Sequence, residues 1–108
     1  MPLVVKSLDS RKFAPEKLQK LNLFATPQFF CDVYCLEPGQ SQKPHKHVGS
    51  DKLYAVLEGR VQVTIGEEGG NLQGGDVVLC PAGVDHSLAN DSEGRAAVLV
   101  FMAPHPQP

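Results

Sequence analysis

The chain has 108 residues, of which 42% are hydrophobic, and a formal net charge of −2. This length supports one hydrophobic core but not two, and the hydrophobic content argues against disorder. The charge balance offers no basic patch for nucleic acid and no polybasic run for anionic lipid, so neither partner is expected. No apolar run approaches the roughly 20 residues that span a bilayer, and no signal peptide is recognisable. We therefore expect a cytoplasmic protein without membrane contact.

The first 27 residues form an N-terminal arm with two weak signals. Leu3-Val4-Val5 is apolar enough for a short strand that crosses to a partner subunit or covers a sheet edge. The segment from Pro15 to Leu21 has proline near its start, then an acid, then lysines. This order is typical of a helix of one or two turns, although a solvated loop fits as well.

A strand signal follows over residues 28–36, where aromatic and β-branched side chains precede the turn Glu37-Pro38-Gly39. The large apolar side chains of this segment are more typical of a core than of a ligand-stacking surface. They are Phe29, Phe30, Tyr34 and Leu36.

Short strand signals continue to the end of the chain. Residues 60–65 alternate apolar and polar side chains, which indicates one buried face. A hairpin loop is expected over 66–70, and apolar strands over 76–80 and 96–102. Several short strands at regular spacing predict an all-β sandwich or barrel, with at most one short helix near the N-terminus.

Two histidines and a carboxylate stand close together in the middle of the chain. His45 and His47 are separated by one residue, so an extended strand would point both imidazoles to the same face. Asp51 heads the next apolar strand and is expected to face the same point. These residue types are typical ligands of divalent transition metals.

A third histidine follows the turn Pro81-Ala82-Gly83. His86 lies where the next strand should begin, so it can point back toward the first pair. His105 stands in a proline-rich tail over 103–108, which we expect to be extended or frayed. This tail is a poor place for a metal ligand, because a proline-bounded terminus is not easily held inside a barrel.

The spacing of these residues resembles the two motifs of the cupin superfamily, G-x5-H-x-H-x3,4-E-x6-G and G-x5-P-x-G-x2-H-x3-N. The first motif is matched from Gly39 to Gly59, counting Gly59 one place late, and the second from Gly75 to Asn90. The departure is Asp51, which stands where the family usually has glutamate.

The resemblance implies an all-β, cupin-type conical β-barrel, or double-stranded jelly roll, formed by a single domain over 1–108. Its barrel would span 28–102, between the arm of 1–27 and the tail of 103–108. Small cupins commonly dimerise through N-terminal strands, so a homodimer is expected, and the edges of such a sheet need covering in any case.

The resemblance also implies a divalent transition metal held by His45, His47 and His86. Asp51 would be a fourth ligand, or a neighbouring group that orients water or moves a proton as a base. Manganese or iron is favoured by the resemblance, while zinc, nickel and copper suit the same ligands. Open coordination positions on such a metal favour catalysis over structural clamping.

The leading hypothesis is a small metal-dependent enzyme, oxygenase-like or else a lyase or isomerase, acting on a small organic molecule inside the barrel. The alternative is a binding or sensing module that captures a metabolite in the same pocket without turnover. From strand alternation, the candidate residues at the barrel mouth are Tyr54, Val63, Leu88 and Phe101.

The three cysteines are expected to be free thiols, because an odd number cannot pair completely within one chain. Cys31 and Cys35 would lie ~13 Å apart on a strand, beyond disulfide reach. All three, with Cys80, are interpreted as small buried hydrophobic residues. Alternatively, Cys35 or Cys80 lies close enough to the metal to ligate it or to be oxidised.

Overall fold

The computed structural model describes residues 3–106, which form nine strands and one 3₁₀ turn. The turn spans Ser7–Ser10, and no α-helix is present in this range. The strands are β1 Gln19–Ala25, β2 Phe30–Leu36, β3 Ser41–His45, β4 Asp51–Glu58, β5 Arg60–Ile65, β6 Glu68–Gln73, β7 Val77–Cys80, β8 His86–Ala89 and β9 Ala96–Ala103.

The strands form two antiparallel sheets that face each other. One sheet has the order β1-β2-β9-β4-β7, and the other has the order β3-β8-β5-β6. Strand β9 lies in the middle of the larger sheet, between β2 and β4, and carries the strongest apolar run. This arrangement confirms the predicted all-β barrel.

The core lies between the two sheets and follows the alternation of side chains along each strand. In β4, Lys52, Tyr54 and Val56 are buried while their neighbours are more exposed. In β5, Val61 and Val63 point to the same interior. The larger sheet therefore presents an unusual inward side chain, a lysine, in line with core residues.

The helix expected over Pro15 to Leu21 is wrong. Gln19 begins β1, which pairs with β2 in a register that sets Leu21 opposite Val33. Leu21 and Leu23 pack on a second apolar cluster with Val33 at its centre. Tertiary packing of these leucines on the back of the sheet overrides the local helix signal. β1 thus lies inside the segment that was expected to be an arm.

The two chain ends differ from expectation in opposite ways. Leu3 and Val4 form no strand and are 85% and 81% exposed. The tail is docked as far as Pro106, because Ser50 Oγ donates to the Pro104 carbonyl at 2.7 Å and the His105 amide donates to the Gln28 carbonyl at 3.1 Å. Residues 1–2 and 107–108, the outermost parts of the expected arm and tail, lie outside the described range.

Two smaller features complete the architecture. The expected loop over 66–70 is shorter, since β6 already begins at Glu68 and pairs with Ile65. Within residues 3–106, the structure contains no helix with the length and hydrophobicity that a membrane crossing requires.

Candidate metal centre

Strand pairing brings the three predicted histidines to one end of the smaller sheet. His45 is the last residue of β3 and His86 is the first residue of β8, and the two are direct partners in the antiparallel register. A register shift between Gln42 and His45 marks an irregularity in β3 just before the site. His47 follows two residues beyond His45, so all three imidazoles reach the same place.

The imidazoles are in mutual contact. The ring centroids of His45 and His86 are 4.2 Å apart, those of His45 and His47 are 5.1 Å apart, and those of His47 and His86 are 5.7 Å apart. One ligand nitrogen of each residue lies within 4.8 Å of the other two. Two metal–nitrogen bonds of about 2.0–2.1 Å span at most about 4.2 Å, so small ring rotations would place all three nitrogens on a single ion.

Hydrogen bonds from the backbone fix the tautomers of two rings. His45 Nδ1 lies 2.8 Å from the Lys43 carbonyl, and His86 Nδ1 lies 3.1 Å from the Val84 carbonyl. Because a carbonyl only accepts, each Nδ1 carries the proton and each Nε2 keeps a lone pair. This is the way in which metal-ligating histidines are usually oriented.

The Nε2 atom of His86 has no hydrogen-bond partner among the described residues, although it is buried. His86 itself is only 2% exposed. A buried nitrogen lone pair without a partner is destabilising, and its presence in a folded protein calls for an explanation. A bound cation would supply the missing partner, so the residues present fit a metal ion.

Burial keeps the imidazoles neutral. It lowers the pKa of His86 to about 4, with the charges of Lys52 and of the other two histidines acting in the same direction. Burial also lowers the pKa of His45 and of His47, and Lys52 lowers both further. Neutral imidazole is the form that binds a metal, so the cluster is ready for one at neutral pH.

Asp51 does not join the cluster. Its side chain is exposed at the start of β4, and Oδ1 accepts the amide N–H of Ala82 at 2.9 Å, which ties it to the turn before His86. Successive side chains of a strand point to opposite faces, and in β4 the inward face begins with Lys52. The expected role of Asp51 as ligand or base therefore lacks support from this geometry, and its carboxylate stabilises the turn instead.

Lys52 is the site residue that the sequence interpretation missed. Its side chain is 1% exposed, and Nζ lies 3.2 Å from Nε2 of His45. Burial lowers the pKa of Lys52 to about 8. A usable signal was present: with four residues after His47 instead of three, Gly59 falls on its motif position and Lys52 takes the place of the glutamate.

A cavity of ≈ 260 Å³ opens beside the cluster. Most of its lining comes from the larger sheet and from the docked tail, and it combines apolar, aromatic and charged groups. The lining residues are Lys20, Phe30, Asp32, Tyr34, Gln42, His45, His47, Lys52, Met102 and Pro106. A larger cleft of ≈ 520 Å³ lies near Arg11 and Glu58, but none of the three histidines lines it.

The residues expected at the mouth lie elsewhere. Val63 and Leu88 belong to the apolar core, and Phe101 stacks on Phe29 with ring centroids 5.1 Å apart. Tyr54 is also in the core, and its hydroxyl donates to Gln42 Oε1 at 2.6 Å. Tyr54 thus contacts Gln42, a cavity-lining residue, but does not line the cavity itself.

The three cysteines are free, as predicted. Cys35 and Cys80 are buried and Cys31 is half-buried, and none of them belongs to the histidine cluster. Burial raises the pKa of Cys80 to about 11, which makes this thiol unreactive. The interpretation as small hydrophobic side chains therefore holds for Cys35 and Cys80.

The fold and the histidine cluster together define a small double-stranded β-helix barrel with a candidate metal site at one end. Residues 32–102 match the family described as Cupin domain, which is more than half of the chain, and the protein therefore belongs to this family.

Three relatives illustrate the match. Uncharacterized protein SCO3923 of Streptomyces coelicolor is 39% identical over 74 residues, which cover 67% of this chain and 68% of that protein. The crystal structure of TT1209 from Thermus thermophilus superposes with a TM-score of 0.93 at 41% identity, covering 95% of this chain and 98% of that one. A Klebsiella pneumoniae protein with a double-stranded beta-helix domain superposes with a TM-score of 0.89 at 17% identity, covering 96% and 91%, and shares the fold alone.

Proposed function

We propose that the protein is a small metal-dependent enzyme, of oxygenase type, that acts on a small organic molecule in the cavity beside the histidines. His45, His47 and His86 hold a divalent first-row transition metal, with manganese or iron favoured by family resemblance. The observation that carries the proposal is the convergence of three neutral imidazoles on a point where a buried nitrogen, Nε2 of His86, lacks a partner among the described residues.

The chemistry of this donor set supports an open site. Three protein ligands leave two or three coordination positions for substrate, water or dioxygen, and a metal bound there would polarise whatever occupies them. The chain's own contribution is to orient the imidazoles through the carbonyls of Lys43 and Val84. Phe30 and Met102 line the cavity and would exclude water from the reacting molecule.

The test is metal analysis of untagged protein, compared between the wild type, His86→Ala and Asp51→Asn. We expect near-stoichiometric metal in the wild type and in Asp51→Asn, because the Asp51 carboxylate binds the Ala82 amide. We expect metal affinity at least about 100-fold lower in His86→Ala, since loss of a direct ligand exceeds loss of a supporting group. A metal-free, folded wild type would overturn the proposal. If the wild type contains metal, the metal-loaded protein is screened for oxygen consumption with small organic substrates.

A binding module without turnover is the second candidate function. It is favoured by one observation: among the described residues, no carboxylate joins the imidazole cluster, and the acidic side chain of the cavity wall, Asp32, is hydrogen-bonded to Asn22. Incubation of metal-loaded protein with a bound ligand separates the two functions. Recovery of the ligand unchanged, with oxygen present, would support binding alone.

We also propose that the protein forms a homodimer. Leu3 and Val4 are exposed near the N-terminus, and the edge strand β7 exposes Val77 and Leu79 at 60% and 52%. Exposed apolar side chains on an unpaired edge are suited to association with a second copy. Light scattering at micromolar concentration should give twice the mass of the chain, and a monomer mass would refute the proposal.

A further inference from the structure

Lys52 places a positive charge inside the barrel. Its side chain leaves β4 on the inward face, is 1% exposed, and ends 3.2 Å from Nε2 of His45. Lysine is almost never fully buried unless it is paired. The partners of this ammonium therefore bear directly on what the cavity holds.

The protein offers Lys52 no close carboxylate among its described residues. The ion pairs found among residues 3–106 are Arg11–Glu58 and Arg95–Glu37, and neither involves Lys52. Asp32 is the carboxylate among the cavity-lining residues; its charge stabilises the Lys52 ammonium without forming an ion pair, and it accepts a hydrogen bond from Asn22 at 2.8 Å.

The other neighbours of the Lys52 ammonium carry no negative charge. The Tyr54 and Tyr34 rings lie 5.1 and 5.6 Å from Nζ, and aromatic faces only partly offset the charge. Lys20, at the cavity wall, adds a second cation. With Lys20 and Lys52 against Asp32, the cavity has an excess of positive charge close to the histidine cluster.

His45 cannot serve Lys52 and a metal at the same time. Nε2 of His45 has one lone pair, because its Nδ1 proton is committed to the Lys43 carbonyl. When that lone pair ligates a cation, Lys52 loses its acceptor while remaining next to the cluster. Three neutral imidazoles offset none of the combined charge, and an anion bound beside Lys52 would offset it.

We propose that Lys52 is the anion-binding residue of the cavity, and that the molecule bound there is a small organic acid. One carboxylate oxygen accepts a hydrogen bond from the Lys52 ammonium, while a second oxygen of the acid faces the histidine cluster. This inference rests on the proposed metal site and names the substrate class for it.

The cavity supports the same class of ligand by size and lining. Its ≈ 260 Å³ lies just below the usual range for ligand pockets, which suits a molecule of a few to about a dozen heavy atoms. Phe30, Tyr34 and Met102 provide an apolar wall, while Lys20 and Lys52 provide the charge. An organic acid with a short apolar or aromatic body complements both.

The test uses protein loaded with Co²⁺, whose visible absorption reports ligands that bind at the metal. Salicylate, a carboxylate with an adjacent hydroxyl, is titrated against salicylamide, which keeps the ring and hydroxyl but lacks the carboxylate charge. The variants are Lys52→Met, which removes the charge at similar length, and Lys52→Gln as a second neutral form. Lys20→Met is the matched control, because it removes an exposed lysine of the same cavity.

We expect Lys52→Met and Lys52→Gln to load Co²⁺ and to bind salicylate about 10-fold to 100-fold more weakly than the wild type, the usual effect of losing a charge-assisted hydrogen bond. Salicylamide binding should be unchanged, and Lys20→Met should weaken salicylate binding less. If Lys52→Met and Lys52→Gln load Co²⁺ and bind salicylate as tightly as the wild type, the role of Lys52 is overturned while the metal site stands. A folded wild type that fails to load Co²⁺ would overturn the metal site and this inference together.

Discussion

The two ends of the barrel differ in whether their buried polar groups have hydrogen-bond partners within the chain. We call the end formed by Glu37, Glu58, Asn90 and Arg95 the turn end, and the end formed by His45, His47, Lys52 and His86 the histidine end. Strand β4 connects them, with Lys52 near its start and Glu58 at its last residue. Each motif contributes residues to both ends, with Glu58 and Asn90 at the turn end and three histidines at the other.

At the turn end, polar groups are paired within the chain. Asn90 is 1% exposed, and its amide donates to the carbonyls of Leu36 at 3.0 Å and Gly94 at 2.8 Å. Its Oδ1 accepts from the amide and the hydroxyl of Ser92. This satisfied network holds the β2–β3 and β8–β9 connections together and leaves no buried polar atom of Asn90 without a partner.

At the histidine end, polar groups are buried without sufficient partners. Nε2 of His86 has none among the described residues, and the Lys52 ammonium has a single nitrogen acceptor, on His45. Both arrangements lower the stability of the protein on its own and can be offset by a bound ion or ligand. The comparison teaches that the turn end stabilises the fold, while the histidine end leaves buried polar groups that a bound ion or ligand would stabilise.

The largest expected effect comes from breaking the turn end at Gly59. Its φ is +77°, and an added Cβ would collide with the Arg95 carbonyl oxygen and lie 2.9 Å from Ala96 Cα. Left-handed strain and overpacking against backbone should together lower the free energy of unfolding of Gly59→Ala by about 2–5 kcal/mol. Urea unfolding of the purified variant measures this loss.

Gly70→Ala is the matched control, because no atom lies within 4 Å of its added Cβ. Its free energy of unfolding should lie within about 1 kcal/mol of that of the wild type. If the two ends are independent, Gly59→Ala should also retain the wild-type metal affinity wherever it is folded. Equal unfolding midpoints for the two glycine variants would contradict the assignment of stability to the turn end.

The fold and the three histidines could be predicted because their signals are local. The alternation of Val61 and Val63 fixes a half-buried strand, and the interval between His45 and His47 fixes a shared direction. The position of His86 after its turn sufficed to bring the third imidazole to the first two. The period of two along a strand relates sequence spacing to side-chain direction, and His47 joins the cluster although it lies two residues beyond the end of β3.

Errors arose where one residue decides which face a side chain takes. Assigning the acidic position to Asp51 placed the site on the outer face of β4, while Lys52, one residue later, points inward. A one-residue shift exchanges the two faces of a strand. Asp51 has the chemistry of a metal ligand and Lys52 does not, so residue type favoured the neighbour that points outward.

The cavity could not be predicted because its walls are distant in sequence. Lys20 comes from a segment that was interpreted as a helix or loop, and Asp32 and Met102 come from strands that meet only through pairing of β2 with β9. Strand order and sheet closure are set by packing of the whole chain, and no local pattern encodes them. The lining residues therefore required the structure.

A smaller effect should appear at the histidine end as sensitivity to acid. The pKa of His86 is about 4 in the folded protein, against an ordinary value of 6.5, so the unfolded chain binds a proton more readily. The contribution of the neutral His86 ring to the free energy of unfolding is therefore fully present above pH 6.5. It is lost as the pH falls toward 4, by at most about 3 kcal/mol. His45 and His47, whose pKa values are also lowered, act in the same direction.

Urea unfolding of chelator-treated protein at pH 7 and at pH 5 measures this loss, with His86→Leu as the control. Leucine cannot take up a proton and has no unpaired nitrogen. The free energy of unfolding of the variant should therefore match or slightly exceed that of the wild type at pH 7 and fall less at pH 5. An equal loss in both proteins would show that acid acts elsewhere. The variant should also bind metal at least about 100-fold more weakly, as expected for His86→Ala, because leucine cannot act as the proposed ligand.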